Sequence, residues 1–130
     1  MHEFVVETHR KEELIDITSL VERALEGQGV CEGTCFVHST HTTAGITINE
    51  NADPTVAADL LGALAHVIPQ GGSWRHREGN APAHIKTSLV GATATVPIEA
   101  GHLVLGTWQG IFLCEFDGPR SRRVLVRVCS

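Results

Sequence analysis

The stretch from His38 to Pro54, HSTHTTAGITINENADP, packs two imidazoles, four threonines, two asparagines and two carboxylates into seventeen residues. As backbone it is the junction on which the fold turns. Cys31–Thr40 is rich in β-branched and small apolar residues and predicts a strand, and Gly45–Asn49 predicts another. Asp53-Pro54 then predicts a helix start, an aspartate cap followed by proline at the first helical position. Val56, Leu60, Ala63, Leu64 and Val67 recur at spacings of three and four and line one helical face. Pro69, Gly71 and Gly72 stop that helix.

Upstream, FVVET (4–8) and the segment around Leu14–Ile17 read as short strands. Ser19 and Glu22 have the spacing of a capping box, Val21 and Leu25 share a face, and Gly27 and Gly29 end this first helix. Downstream, 69–83 shows no period, and a loop that long in a compact domain usually has a job. The last third reads as strand and turn: Ala92–Ile98 alternates, EAGH turns, HLVLG returns, Ile111–Phe116 follows, Asp117-Gly118 signals a hairpin, and Arg123–Cys129 closes a meander. Strands, helix, strands, helix, strands is an α+β order, with two helices beside antiparallel sheets in a single domain spanning 1–130.

The chain has 130 residues, 42% of them hydrophobic, enough for one core. Its formal net charge is −5 and only PRSRRVLVR is locally basic, which argues against binding nucleic acid through its phosphates. No apolar run approaches the roughly 20 residues that span a bilayer. MHEFVVETHRKEE carries charge where a signal peptide would be apolar, so a cytoplasmic protein is expected. Cys31, Cys35, Cys114 and Cys129 form no CxxC pair and read as small buried residues, although Cys31 and Cys35 on one strand face leave a metal role conceivable.

Several residues resist a purely structural reading. His41 ends a strand and precedes Thr42 and Thr43, whose hydroxyls can hold an anion, and an imidazole there can carry a proton or bind a metal. Asn49, Glu50 and Asn51 are poor core material at the end of an apolar strand. Asp53 is read as the helix cap, beside a helix N-terminus suited to anions. His84 follows Pro82, where an extended approach enters a new element, and a histidine there could meet His41 in space. Trp108 and Gln109 lie between Gly106 and Gly110, implying tight backbone packing around the indole. Ile111, Leu113 and Glu115 share a strand face, so Glu115 needs a cation, a metal or a histidine opposite it. Arg120, Arg122 and Arg123 are candidate partners, or could grip a phosphate. His76, in SWRHRE, belongs to a surface loop or a lid, and His2, His9, His38, His66 and His102 read as solvated or structural.

HTTAGITINENADP, then AHIKTSLVG, then VPIEAGHLVLGTWQGIFLCEFDGPRSRRVLV closely resembles the secondary thiamine-phosphate synthase family, the YjbQ-type group long grouped as uncharacterised proteins. The resemblance covers nearly the whole chain. It implies a seven-stranded antiparallel β-sandwich with two helices, assembled as a homotrimer, and a weak synthase activity joining a pyrimidine-methyl diphosphate to a thiazole phosphate with release of pyrophosphate. Motif residues carried over are His41, Thr42, Asn49, Glu50, Asn51, Asp53, His84, Trp108, Gln109 and Glu115, with the PRSRR arginines fitting the C-terminal pattern. In that chemistry His41 and His84 are candidates for a divalent metal (zinc or magnesium) or for acid catalysis. Glu50 or Glu115 would orient them, while Thr42, Thr43 and Arg122 hold phosphate. The chain has neither a paired-aspartate Mg²⁺ motif nor a P-loop, which fits a weak rather than an efficient diphosphate transferase. Two other readings fit the same residues: a metal-dependent hydrolase, and a non-catalytic protein that binds a small phosphorylated metabolite.

Overall fold

The computed structural model describes residues 1–130 as eight strands and three helices. The order is β1 (His2–Glu7), β2 (Glu13–Asp16), α1 (Thr18–Glu26), β3 (Gly33–Ser39), β4 (Ala44–Glu50), α2 (Pro54–Val67), α3 (Ala81–Val90), β5 (Thr93–Glu99), β6 (His102–Leu103), β7 (Gln109–Glu115) and β8 (Ser121–Cys129). The α+β class holds, with one strand and one helix more than the sandwich expected from the resemblance. The extra helix is α3. Pro82 occupies its first turn, where the missing N–H costs nothing, so the residues leading to His84 are helical and not extended. The loop after α2 is correspondingly shorter than read.

Five strands form one sheet in the order β1-β8-β3-β5-β6, and three form a second, β2-β7-β4. Every pairing is antiparallel. Cys35 and Val37 of β3, Val96 and Ile98 of β5 and Val124 and Val126 of β8 meet Ile46 of β4 and Ile111 and Leu113 of β7 in one core, which Val21, Ala24 and Leu25 of α1 close at the side. The opposite face of β7 is covered as well: Cys114 and Phe116 pack against Ala83 of α3, with Leu61 and Leu64 of α2 alongside. β7 is therefore the middle of three layers, sheet, sheet and helices, and is buried from Gly110 onward.

Local expectations fared unevenly. Asp53 does cap α2, accepting from Thr55 N–H at 2.9 Å. Ser19 does not cap α1: the helix begins at Thr18, whose N–H and hydroxyl both bond Asp16 Oδ1, so the carboxylate before the helix takes the capping role. Asp117-Gly118 is not a hairpin turn, because β7 and β8 lie in different sheets and the segment is a corner between them. For the same reason the C-terminal strands are no meander. The EAGH turn is a hairpin joining Glu99 to His102, with positive φ at both Ala100 and Gly101 as a type I′ turn requires. Cys35 and Cys114 are buried, and desolvation pushes their thiols up to about 11 and about 12, so both are inert packing residues. No helix is long and apolar enough to cross a membrane.

Candidate functional site

The pleat of β7 turns Ile111, Leu113 and Glu115 toward the inter-sheet core, and Glu115 is fully buried there. Its partner is Arg122, which alternates inward with Val124 and Val126 on β8 and is itself only 3% exposed. Arg122 Nε donates to both Glu115 oxygens at 2.9 and 3.0 Å, and Nη2 donates to Glu115 Oε2 and to Thr43 Oγ1 at 2.9 Å. Thr8 Oγ1 donates to Glu115 Oε1 at 2.7 Å, and the Asp117 amide donates to Oε2 at 3.2 Å. A carboxylate satisfied this fully can be buried, whereas either ion alone could not. The second guanidinium nitrogen, Nη1, makes none of these bonds. Arg123, one residue on, points to the other face and pairs with Glu3.

His41 sits in the turn between β3 and β4. The turn is pinned by Ser39 Oγ, which donates to the Ala44 carbonyl at 2.7 Å and accepts from the His41 amide at 3.2 Å. His41 Nε2 lies 2.8 Å from the backbone N–H of Arg123. A backbone amide can only donate, so Nε2 is the acceptor and the neutral ring carries its proton on Nδ1. Partial burial, then the charge of Arg122 and more weakly those of Arg123 and Arg120, hold the imidazole below its ordinary 6.5, against an opposing pull from Glu115. At neutral pH His41 is thus an uncharged ring with one N–H to offer.

These groups form one wall of a cavity of about 370 Å³ that has no hydrophobic lining residue. His41, Thr42, Thr43, Asp117, Arg120 and Arg122 line it together with α3 and the segment before it, which contribute His76, Glu78, Asn80 and His84. His41 and His84, far apart in sequence, do line the same space. Asp117 is committed elsewhere: it accepts from Asn80 Nδ2 at 2.8 Å and from Arg120 Nη2 at 3.0 Å. Asn80 Oδ1 is left buried without a partner. The His76 and His84 rings meet edge to face, centroids 5.0 Å apart.

The donor set does not fit the divalent metal that the resemblance suggests. No three His, Cys, Asp or Glu side chains are grouped to hold one ion, the Nε2 lone pair of His41 is taken, and Glu115 is enclosed by its own donors. Cys31 precedes β3, exposed, while Cys35 is buried, so they form no pair either.

The remaining predicted residues gather at the opposite end of the same two strands. Ala44 pairs with Glu115 at one end and Glu50 with Gln109 at the other, which separates the ends by about 20 Å of strand. There Asn51 donates through Nδ2 to Asp16 at 3.1 Å and through its amide to the Trp108 carbonyl at 3.1 Å. Its side chain fills the space beside Gly110, where any Cβ would collide with it. Gly110 therefore makes room for Asn51, not for the indole: Trp108 is 62% exposed. Gln109 bonds the Gly106 amide at 2.7 Å, and Asn49 Oδ1 accepts from the Glu50 amide at 2.8 Å. Asp53 is held below its usual range by the Thr55 hydroxyl and amide. Within one chain these six residues do not reach the cavity. Residues the sequence reading did not single out are Thr8, which bridges Glu115 and the Arg120 amide, and Asn80 and Asp117. Asn80 two residues before a proline was a visible helix-start signal; Thr8 had no local signal at all.

The likenesses to known proteins run the full length of this architecture. The family model described as "UPF0047 protein YjbQ-like" matches residues 2–130. The UPF0047 protein MJ1081 of Methanocaldococcus jannaschii is 48% identical over 98% of this chain and 93% of its own, and the UPF0047 protein YugU of Bacillus subtilis is 49% identical over 95% and 94%. A crystal structure of an uncharacterized conserved protein of the YjbQ/UPF0047 family from Clostridium acetobutylicum superposes with a TM-score of 0.98 at 50% identity, covering 99% of this chain and all of that one. With family motif, relatives and fold in agreement from end to end, the chain belongs to the YjbQ/UPF0047 family.

Proposed function

We propose that this cavity handles a small phosphorylated metabolite, with a weak thiamine-phosphate synthase-type activity as its reaction. The observation that supports this reading is the lining itself: two arginines, three imidazoles and two threonine hydroxyls around an open cleft without one apolar side chain, with the Asp117 carboxylate already engaged by Asn80 and Arg120. In the reaction the carbon–oxygen bond of the pyrimidine-methyl diphosphate breaks and its electron pair leaves with the diphosphate. The thiazole nitrogen supplies the pair for the new carbon–nitrogen bond. That nitrogen bears no proton, so no general base is required. The demand falls on stabilising the leaving anion with fixed donors.

Arg122 Nη1, the Thr42 and Thr43 hydroxyls and the Nδ1–H of a neutral His41 are the groups to do this, with Arg120 and His84 completing the wall. Glu115 acts through Arg122 as a positioning residue. It also cancels much of the guanidinium charge, in keeping with a weak transferase. The test is formation of thiamine phosphate from both precursors, followed chromatographically. The parent should turn over slowly, and His41→Ala should remain folded and lose the activity. Ligand-dependent stabilisation by pyrophosphate without any product would replace the enzyme reading with a binding protein, and parent-like turnover by His41→Ala would remove His41 from the mechanism.

We further propose a homotrimer. α2 (PTVAADLLGALAHV) has no fully buried residue: Leu61 and Leu64 pack on the chain's own core, whereas Ala63 is exposed and Val67 is 70% exposed, an apolar remainder that a neighbouring subunit would cover. Light scattering should give three times the 14.0 kDa chain mass, and a monomer would refute it.

A further inference from the structure

The synthase chemistry asks the protein for no base and no nucleophile, yet the cavity holds one. Of its three imidazoles, two are engaged by other groups of the chain. His41 has committed its Nε2 lone pair to the Arg123 amide, and His76 Nε2 lies 4.0 Å from the Glu78 carboxylate. His84 is different. It is half-buried on α3, its ring meets His76 edge to face, and the chain offers neither of its nitrogens a hydrogen bond. Its backbone is nevertheless fixed, because its carbonyl accepts from the Ser88 hydroxyl at 3.0 Å and its amide donates to the Asn80 carbonyl at 3.4 Å. An imidazole is the side chain that presents a free lone pair near neutral pH. This one lines the same space as Arg122, Thr42, Thr43 and the Nδ1–H of His41. Phosphoryl transfer needs that combination: fixed donors on the nonbridging oxygens and a nucleophile within reach of phosphorus.

We propose that His84 accepts a phosphoryl group from an acyl or aryl phosphate and passes it to water. This rests on the phosphate reading of the cavity and adds a second reaction to it. A ring nitrogen of His84 attacks phosphorus, the phosphorus–oxygen bond to the leaving group breaks, and its electron pair departs on the carboxylate or phenolate oxygen. Water then attacks the phosphorus. The nitrogen–phosphorus bond breaks, its pair returns to the ring, and dihydrogen phosphate leaves. The class of donor follows from the lining. Arginines keep their protons, and a His41 that gave up Nδ1–H would be left as an imidazolate. Neither can hand a proton to a departing oxygen, so an alkoxide is a poor leaving group here and a stabilised anion a good one.

The full chain is given acetyl phosphate, 4-nitrophenyl phosphate and glycerol 3-phosphate, with and without a chelator, while inorganic phosphate is titrated calorimetrically alongside. The two activated phosphates should be hydrolysed under both conditions and glycerol 3-phosphate should not. Parent chains quenched in base during turnover should carry one added phosphoryl group, mapped to His84 and lost in acid. That mass measurement does not depend on any variant. His84→Ala should lose both the label and the hydrolysis. Free imidazole should restore part of its turnover of 4-nitrophenyl phosphate, a rescue that a merely structural His84 would not allow. If inorganic phosphate bound but no label reached His84, the transfer would fall and the phosphate site would stand. Hydrolysis abolished by the chelator, or unchanged in His84→Ala, would overturn the transfer as well. If inorganic phosphate did not bind, both readings would fall together.

Discussion

The two ends of the β4–β7 pair carry the same kinds of side chain and use them in opposite ways. At the Asn51 end the polar groups are spent on the protein: Asn51 ties Asp16 to the strand end, Asp53 caps α2, and Gln109 closes its own turn. At the Glu115 end the polar groups are spent on each other so that a remainder is left over. Glu115 fixes Arg122, Arg123's amide fixes His41, and what emerges is an unengaged Nη1, an Nδ1–H and two hydroxyls around open space. A polar motif in a sequence does not say which of these it is. The difference lies in whether every donor finds an acceptor inside the chain.

The sharpest way to break the contrast is at the buried pair. Glu115→Gln leaves the Arg122 charge without a counterion in the core and should cost about 3–5 kcal/mol in urea unfolding. Glu115→Leu combined with Arg122→Met should restore much of that stability, because a well-packed apolar pair can replace a buried ion pair. It should still abolish phosphate binding. Recovery of both would show that Arg122 is only structural.

Next in size is His41→Ala, with turnover expected to fall about a hundredfold, the scale of losing one preorganised donor, at nearly unchanged unfolding midpoint. Asn51→Ala and Trp108→Ala, made for comparison, should leave turnover within about twofold, as for surface changes away from a site. A loss as deep as that of His41→Ala would join the two ends across a subunit boundary and end the distinction.

The smallest effect concerns pH. Because the folded protein holds His41 below 6.5, protonation favours the unfolded chain. Its contribution to stability is intact above that value and is lost as pH falls from 6.5 toward the lower folded value. His41→Gln should flatten the parent's slope in that window, measured as the difference between the two denaturation profiles.

Much of this was legible from local pattern. Alternation along Ile111, Leu113 and Glu115 showed a carboxylate that needed a cation, and the Asp53-Pro54 start of α2 was plain because a cap and a proline are chemistry of adjacent residues. The choice among three arginines was not made, yet the same alternation through Val124 and Val126 turns Arg122 inward and Arg123 out. α3 was missed because Ile85 and Thr87 are β-branched and its apolar residues make no clean stripe; its helix is held by Ala83 packing on Phe116, a tertiary contact. The split of the motif residues into two ends was likewise invisible, since strand length sets it and chain proximity conceals it.

Thr8, near the start of the chain, bonds both Glu115 and the Arg120 amide across 107 and 112 positions. During synthesis nothing can complete that cluster until the segment carrying Glu115 and Arg120 has left the ribosome. Shortened or nicked chains should therefore be blind to phosphate even where their helices have formed. Ligand-induced protection from proteolysis would then report molecules in which Thr8 has met Glu115 and Arg120.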